Sequence, residues 1–172
     1  MKVIIKSEFA HLFLRIVLLT LCRYFIMFSK ACEYSIRATI FIATCTLKGR
    51  RTNLKEISEE IESPVAFTAK LLQQLSHHNI VKSVKGVNGG FEIEQSRLKS
   101  LKLSEVVDVV DGDEIYTRCG LGLKSCSPDN PCPLHSHFKS IRNDLKQMLE
   151  STGIESLSKD LMNGKASLKS LK

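Results

Sequence analysis

The chain has 172 residues, 43% hydrophobic and 25% charged, with a formal net charge of +7. These proportions belong to a globular soluble protein with room for one core, and they speak against a disordered tail and a membrane bundle. The basic excess favours an anionic partner without identifying it, and six cysteines are too few for a disulfide scaffold.

Residues 1–26 carry Lys2, Lys6, Arg15 and Arg23 against Glu8 alone. Only residues 16–22 separate Arg15 from Arg23, whereas a bilayer span needs about 20 consecutive apolar residues. A secretory signal lacks its small-residue cleavage site, and a lipoprotein signal would need a small residue where Leu21 precedes Cys22. The segment reads as a dispensable N-terminal extension, with the domain opening at Met27 in a cytoplasmic protein without a membrane partner.

Ser29 is placed to cap a first helix through Tyr34, Ala38, Phe41, Ile42 and Cys45, stopped by Gly49. Asn53 with Glu56 three residues on resembles a capping box, and Leu54, Ile57 and Ile61 stripe a short second helix. Ser63-Pro64 supplies a cap and a first-turn proline for a third, with Phe67, Leu71, Leu72 and Leu75 as its buried face. At about 100° per residue, Ala66, Ala69, Lys70, Gln73 and His77 fall on the opposite face.

The third helix should end near Asn79. Two β-rich runs follow, Ile80 to Lys85 and Phe91 to Glu94, joined by the glycine-rich turn Gly86-Val87-Asn88-Gly89-Gly90. Three helices and a hairpin are the organisation of a winged helix-turn-helix, whose third helix enters the major groove while the hairpin lies along the backbone or minor groove. Candidate DNA contacts are Ala66, Thr68, Lys70 and Gln73 on the helix, and Lys82, Lys85 and Asn88 on the wing. The competing reading makes Lys70 and Gln73 ordinary solvated residues. The glycines are no phosphate loop, since Gly-x-x-x-x-Gly-Lys-[Ser/Thr] is missing.

Ser104 begins another helix, Glu105 to Val110, ended by Asp111-Gly112-Asp113. From about Glu114 to Pro133 the chain reads as a loop with the pattern C-x6-C-x5-C-x2-H, formed by Cys119, Cys126, Cys132 and His135. Its Gly, Pro and Asn spacers can wrap a central object but not build a core. Thiolates with an imidazole suit an iron-sulfur cluster or, as the alternative, zinc; free thiols or a thiol switch would require no histidine here. His137 would point away along a helix, His77 and His78 sit at a helix end, and Cys32 and Cys45 serve as small apolar residues.

Leu134 to Ser151 contains no Gly or Pro, and Phe138, Ile141, Leu145 and Met148 form a heptad-like seam suited to a long dimerisation helix or to packing on its own domain. Residues from Thr152 onward, rich in Ser, Lys and Gly, read as a flexible tail with at most a turn or two over Ile154 to Met162. The expected divisions are 1–26, 27–97 for DNA binding, 98–152 for the cysteine loop and dimer helix, and 153–172. The fold class is mostly α with a small β-hairpin wing.

Several motifs together are specific. They are Ser29-Lys30 with Tyr34, Pro64-x-x-Phe67-x-x-Lys70-x-Leu72-x-x-Leu75, Ser83-Val84-Lys85-Gly86 with Gly89-Gly90-Phe91, and Cys132-Pro-Leu-His135. Through them, residues 27–151 resemble the Rrf2 family of bacterial winged helix-turn-helix regulators, IscR- and NsrR-like. The resemblance implies a homodimeric transcription factor, not an enzyme, that binds double-stranded operator DNA. It also implies one iron-sulfur cluster per subunit, 2Fe-2S or 4Fe-4S, on Cys119, Cys126 and Cys132, with His135 matching the fourth ligand of one branch. This chain departs in having six residues in the first spacer where that branch has five, and Lys85 where relatives often carry Arg. The remaining alternatives are a DNA-binding protein stapled by structural zinc and a redox or electron-transfer protein. The latter lacks a Cys-x-x-Cys pair and leaves the hairpin without a role.

Overall fold

The computed structural model describes residues 27–123 and 127–169, so the N-terminal extension and Cys126 lie outside the described residues. Its central element is α1 (Lys30–Leu47), started by the Ser29 hydroxyl, which accepts the Cys32 backbone N–H at 3.1 Å. Ala38, Ile42 and Ala43 on this helix are fully buried. Thr39 and Thr44 are buried without cost to the core because their hydroxyls donate to the Ser35 and Ile40 carbonyls one turn back.

Around α1 stand α2 (Leu54–Glu60) and α3 (Val65–His77), the two further helices of the tri-helical unit. Asn53 caps α2 as its sequence signal implies, accepting the Glu56 N–H at 2.9 Å. Ser63 does not cap α3: Pro64 holds the cap position, and the buried Ser63 hydroxyl has no hydrogen-bond partner. The proline nonetheless presets the backbone for the first turn, and the Phe67 and Thr68 N–H groups reach the Pro64 carbonyl.

The hairpin pairs β1 (Lys82–Val84) with β2 (Gly90–Glu92) antiparallel, with Lys82 opposite Glu92 and Val84 opposite Gly90. Both strands are shorter than the β-rich runs, because Ile80, Val81 and Ile93 leave the ladder to enter the core. Ile93 donates its N–H to the Thr46 hydroxyl at 3.1 Å, fastening the wing's base to α1. A third strand segment, invisible to local periodicity, comes from Thr52, which exchanges backbone hydrogen bonds with Phe91 at 3.2 and 2.7 Å.

Beyond the wing come α4 (Gln95–Ser100), α5 (Leu103–Asp111), the single-turn α6 (Glu114–Thr117), α7 (His135–Ser151) and α8 (Ile154–Met162). The short helices α4 and α6 are additions to the sequence reading, and α5 starts at Leu103. Among the described residues no helix is long and apolar enough to cross a membrane.

The expectation of a flexible tail fails for α8. Ile154 and Ser158 are buried, and the Ser158 hydroxyl donates to both the Ile154 and Ile40 carbonyls, at 2.8 and 3.2 Å, where α8 crosses α1. The junction before α8 is pinned too: the Leu103 N–H meets the Thr152 carbonyl and the Ile154 N–H meets the Leu101 carbonyl. A Ser- and Lys-rich composition therefore conceals one apolar stripe, Ile154, Leu157 and Leu161, that completes the core around α1. Ile154→Ala is expected to lower unfolding stability by about 2–5 kcal/mol, the range for emptying a fully buried aliphatic position. Urea unfolding followed by circular dichroism measures it; a loss below about 0.5 kcal/mol, the ordinary surface value, would return α8 to the status of a loose tail.

Candidate functional site

Two surfaces carry the residues singled out from the sequence. The first is the outer face of α3 with the adjoining wing. Ala66, Lys70 and Gln73 are exposed along one side of α3, with Ala69 half-buried beside them. Small residues at 66 and 69 leave the helix backbone approachable, while Lys70 and Gln73 extend beyond them. Thr68 does not belong to this face. It is fully buried on the stripe of Leu71, Leu72 and Leu75, and its hydroxyl donates to the Pro64 carbonyl at 3.1 Å. The one-residue offset from Phe67 turns it into the core, so it is removed from the DNA-contact set.

The orientation of α3 is secured at both ends. Tyr34 of α1 meets Phe67 edge-on at 5.9 Å, and Gln74 Nε2 donates to the Val109 carbonyl of α5 at 2.7 Å. His77 and His78 are exposed at the helix end, their rings 5.3 Å apart. Lys70→Ala is expected to weaken binding to a preferred duplex by about 1–3 kcal/mol if the lysine reads a base edge. Fluorescence anisotropy at fixed salt measures the effect, and unchanged affinity would remove Lys70 from the interface.

On the wing, Lys85 and Asn88 are exposed at the tip, and Val87 between them is wholly solvent-facing. Lys82 stands differently. Its ammonium is held by Glu94 at 2.6 Å, so that carboxylate offsets part of the charge it offers a phosphate. Two arginines before α2 carry contacts that the sequence reading passed over. Arg50 pairs with Glu56 at 2.6 Å, and its guanidinium holds the Glu56 carboxyl below the usual carboxylate range. Arg51 reaches across to Glu92 and to the Asn88 carbonyl of the wing. The signal available in the sequence was two adjacent arginines in a tight loop; Glu56, the partner of Arg50, is six residues on, but Glu92, the partner of Arg51, is forty-one positions away.

The second surface is the cysteine loop. Cys119 is 7% exposed, and the turn after it closes through the Gly122 N–H to the Cys119 carbonyl at 2.9 Å. Gly120 lies against the Phe138 ring of α7; a Cβ there would stand 2.5 Å from ring carbon, so only glycine permits this docking. Arg142 adds a hydrogen bond to the Arg118 carbonyl at 3.2 Å. At the other end of the loop the His135 N–H donates to the Cys132 carbonyl at 3.0 Å, so this thiol and imidazole share the turn that opens α7. The contact of Gly120 with Phe138, one turn beyond His135, brings Cys119 to the same end of that helix. Cys126 falls outside the described residues, and among those described no three Cys, His, Asp or Glu residues converge as a closed metal site. The donor chemistry nevertheless suits a thiolate-bound centre: soft sulfur ligands and one imidazole on spacers too poor in apolar residues to fill the loop themselves.

Two groups on the approach to the loop are buried beside carboxylates. Burial and the Asp108 carboxylate push the Tyr116 phenol up to about 12. Cys32, buried at the start of α1, is likewise raised to about 12 by burial and by Asp111, which keeps it a thiol at neutral pH. Asp111, the last residue of α5, accepts both the Ser29 N–H at 2.8 Å and the Ser29 hydroxyl at 2.5 Å. The exit of α5 toward the cysteines is thus tied to the cap of the first DNA-domain helix. Cys32 and Cys45 themselves are buried in α1, as small apolar residues would be.

The apolar seam on α7 divides. Phe138 and Leu145 are half-buried, Leu145 packing on the core and Phe138 on Gly120, while Leu149 is fully buried. Leu134, Ile141 and Met148, spaced by seven, remain 40, 59 and 45% exposed along another side.

The fold and this arrangement define a winged helix-turn-helix transcriptional regulator with an appended cysteine loop and long helix. Residues 28–160 match the profile of the Rrf2 family, described as an iron-dependent transcriptional regulator, and the chain belongs to that family. It is 28% identical over 139 residues to a chain from Aquifex aeolicus assigned to the HTH-type transcriptional regulators, covering 80% of this chain and 92% of that one. It is 25% identical over 128 residues to the HTH-type transcriptional regulator IscR of Xenorhabdus nematophila, covering 74% and 76%. Among solved structures, CymR, the global cysteine regulator of B. subtilis, superposes with a TM-score of 0.62 at 21% identity, covering 76% of this chain and 95% of that one. T. potens IscR gives the same TM-score at 19% identity, covering 81% and 90%. These likenesses carry the fold, including the two-stranded wing.

Proposed function

We propose that this protein is a homodimeric repressor or activator of transcription whose operator binding is set by an iron-sulfur cluster, 2Fe-2S or 4Fe-4S, held by Cys119, Cys126, Cys132 and His135. The observation that carries the reading is the double hydrogen bond from Ser29 to Asp111. It links the helix that leads into the cysteine loop to the helix around which the DNA-binding unit packs.

When bound, the cluster supplies ligand bonds sensitive to oxidation, nitric oxide or iron-sulfur supply. The protein's part is mechanical. Gly120 against Phe138 and the Cys132–His135 turn hold the two ends of the loop to the start of α7, so a group bound by these donors would tie both ends of the loop to that helix. Asp111 passes the position of α5 to Ser29 and hence to α1, on whose flank α3 is oriented. The Leu134, Ile141 and Met148 row faces a second copy of α7, and such a pair places two α3 helices on half-sites about one DNA turn apart. Ala66, Lys70 and Gln73 then occupy the major groove, and Lys85 with Asn88 follows the backbone or minor groove, with Lys82 beside them still paired to Glu94.

The test is anaerobic purification with a visible spectrum, iron and sulfide analysis, and titration of loaded and stripped protein onto genomic DNA fragments at fixed salt. A brown protein whose DNA preference shifts on stripping supports the reading. A colourless protein carrying zinc, or identical binding in both forms, leaves a DNA-binding protein with a structural metal and overturns the sensor.

A further inference from the structure

The wing is too small to hold its own shape. Its strands have three residues each, and an isolated two-stranded hairpin of that length is not independently stable in water. What braces it comes from residues 51 and 52. Thr52 adds a strand segment to β2 through its paired hydrogen bonds with Phe91, and Gly90 makes the approach possible, since a Cβ there would lie 2.6 Å from the Thr52 carbonyl oxygen. Arg51 then spreads its guanidinium over the hairpin. Nε donates to Glu92 Oε2 at 2.8 Å, one terminal nitrogen to Glu92 Oε1 at 3.3 Å, and the other to the Asn88 backbone carbonyl at 3.1 Å. One planar group thus joins the strand to the tip, and the fork geometry requires arginine rather than lysine.

We propose that Arg51 is a positioning residue for DNA recognition: through Glu92 and the Asn88 carbonyl it fixes the angle at which the wing tip presents Lys85, Val87 and Asn88 to the duplex, without itself contacting phosphate. Because the guanidinium is already engaged by a carboxylate and a carbonyl, its charge serves the wing. Lys85, which among the described residues has no carboxylate partner, is the tip cation presented to DNA. The inference rests on the DNA-binding reading above.

The experiment uses the full-length protein purified anaerobically and a duplex selected by the wild-type protein from a random-sequence library. Arg51→Lys keeps the charge and loses the fork; it is expected to weaken binding about fivefold to tenfold, the size of one lost contact. Added to Lys85→Ala, it should weaken binding no further than about twofold, because coupled residues are not additive. Backbone amides of Gly86 to Gly90 should exchange faster in Arg51→Lys, and the reversed pair R51E/E92R should recover most of the affinity lost by R51E alone. That recovery also guards against misfolding of the single variants. Wild-type affinity in Arg51→Lys, or losses that multiply with Lys85→Ala while the wing amides stay protected, would overturn the clamp. If no duplex is enriched by the wild-type protein, the DNA-binding reading itself falls; an enriched duplex weakened by Lys85→Ala but indifferent to Arg51→Lys removes only the clamp.

Discussion

Cys132→Ala is expected to remove visible absorbance and bound iron from the anaerobically purified protein while leaving its helix content intact. Cys132 is half-buried in a loop with few core contacts, so the variant loses a ligand and little packing. Cys45→Ala is the control, for that thiol is buried in α1 and raised in pKa chiefly by burial. It should lower stability and leave iron content unchanged. The effect on DNA is expected to be larger than that of any single contact. Moving a two-state population from 1:99 to 99:1 takes about 5.5 kcal/mol of differential stabilisation, so losing the ligands can exchange one binding preference for the other. Retained iron in Cys132→Ala would exclude this thiol as a ligand, and equal iron loss in Cys45→Ala would show that the signal reports folding instead.

Ile141→Glu should convert the protein to a monomer and reduce operator affinity by a factor on the order of 10² to 10⁴, the gain that linking two binding modules provides. Ile141 is the middle member of the exposed row Leu134, Ile141 and Met148, and at 59% exposure it contributes little to its own subunit's core. A buried carboxylate between two such rows would be unpaired and strongly unfavourable. Sedimentation equilibrium reports the oligomeric state, and gel shift on a two-half-site fragment reports the affinity. A variant that remains dimeric would place the interface elsewhere. One that becomes monomeric yet binds a two-site fragment as tightly as wild type would separate dimerisation from recognition.

The tri-helical unit was legible because its signals are local. The Asn53 cap and the stripe of Leu71, Leu72 and Leu75 depend on neighbours within one or two turns, and they are where the residue pattern places them. The hairpin was legible from its glycines, of which Gly86 and Gly90 take the positive φ that a tight tip requires. Local patterns misled where a single residue sits at the edge of a stripe. Thr68 has a polar side chain suited to DNA and a position one residue from Phe67, yet the carbonyl of Pro64 satisfies its hydroxyl and the core takes it in. The Ser63 hydroxyl shows the converse, a good capping residue left without a bond because the proline beside it takes the cap position.

The sequence by itself determined the class of fold, the outward placement of Ala66, Lys70 and Gln73, and the thiol and imidazole donors that the cysteine loop offers. Helix periodicity, turn glycines and thiol spacing act over a few residues and need no knowledge of the rest of the chain. Only the tertiary structure decided that Arg51 grips Glu92 forty-one positions away, that Gly120 lies on the Phe138 ring, and that α8 closes the core through Ile154 and Ser158. Each of these is a contact between segments distant in sequence, made favourable by a complementary charge, a missing side chain or a matching apolar stripe. The first two leave no periodic trace in either segment, and the stripe of α8 does not by itself name the helix it packs on.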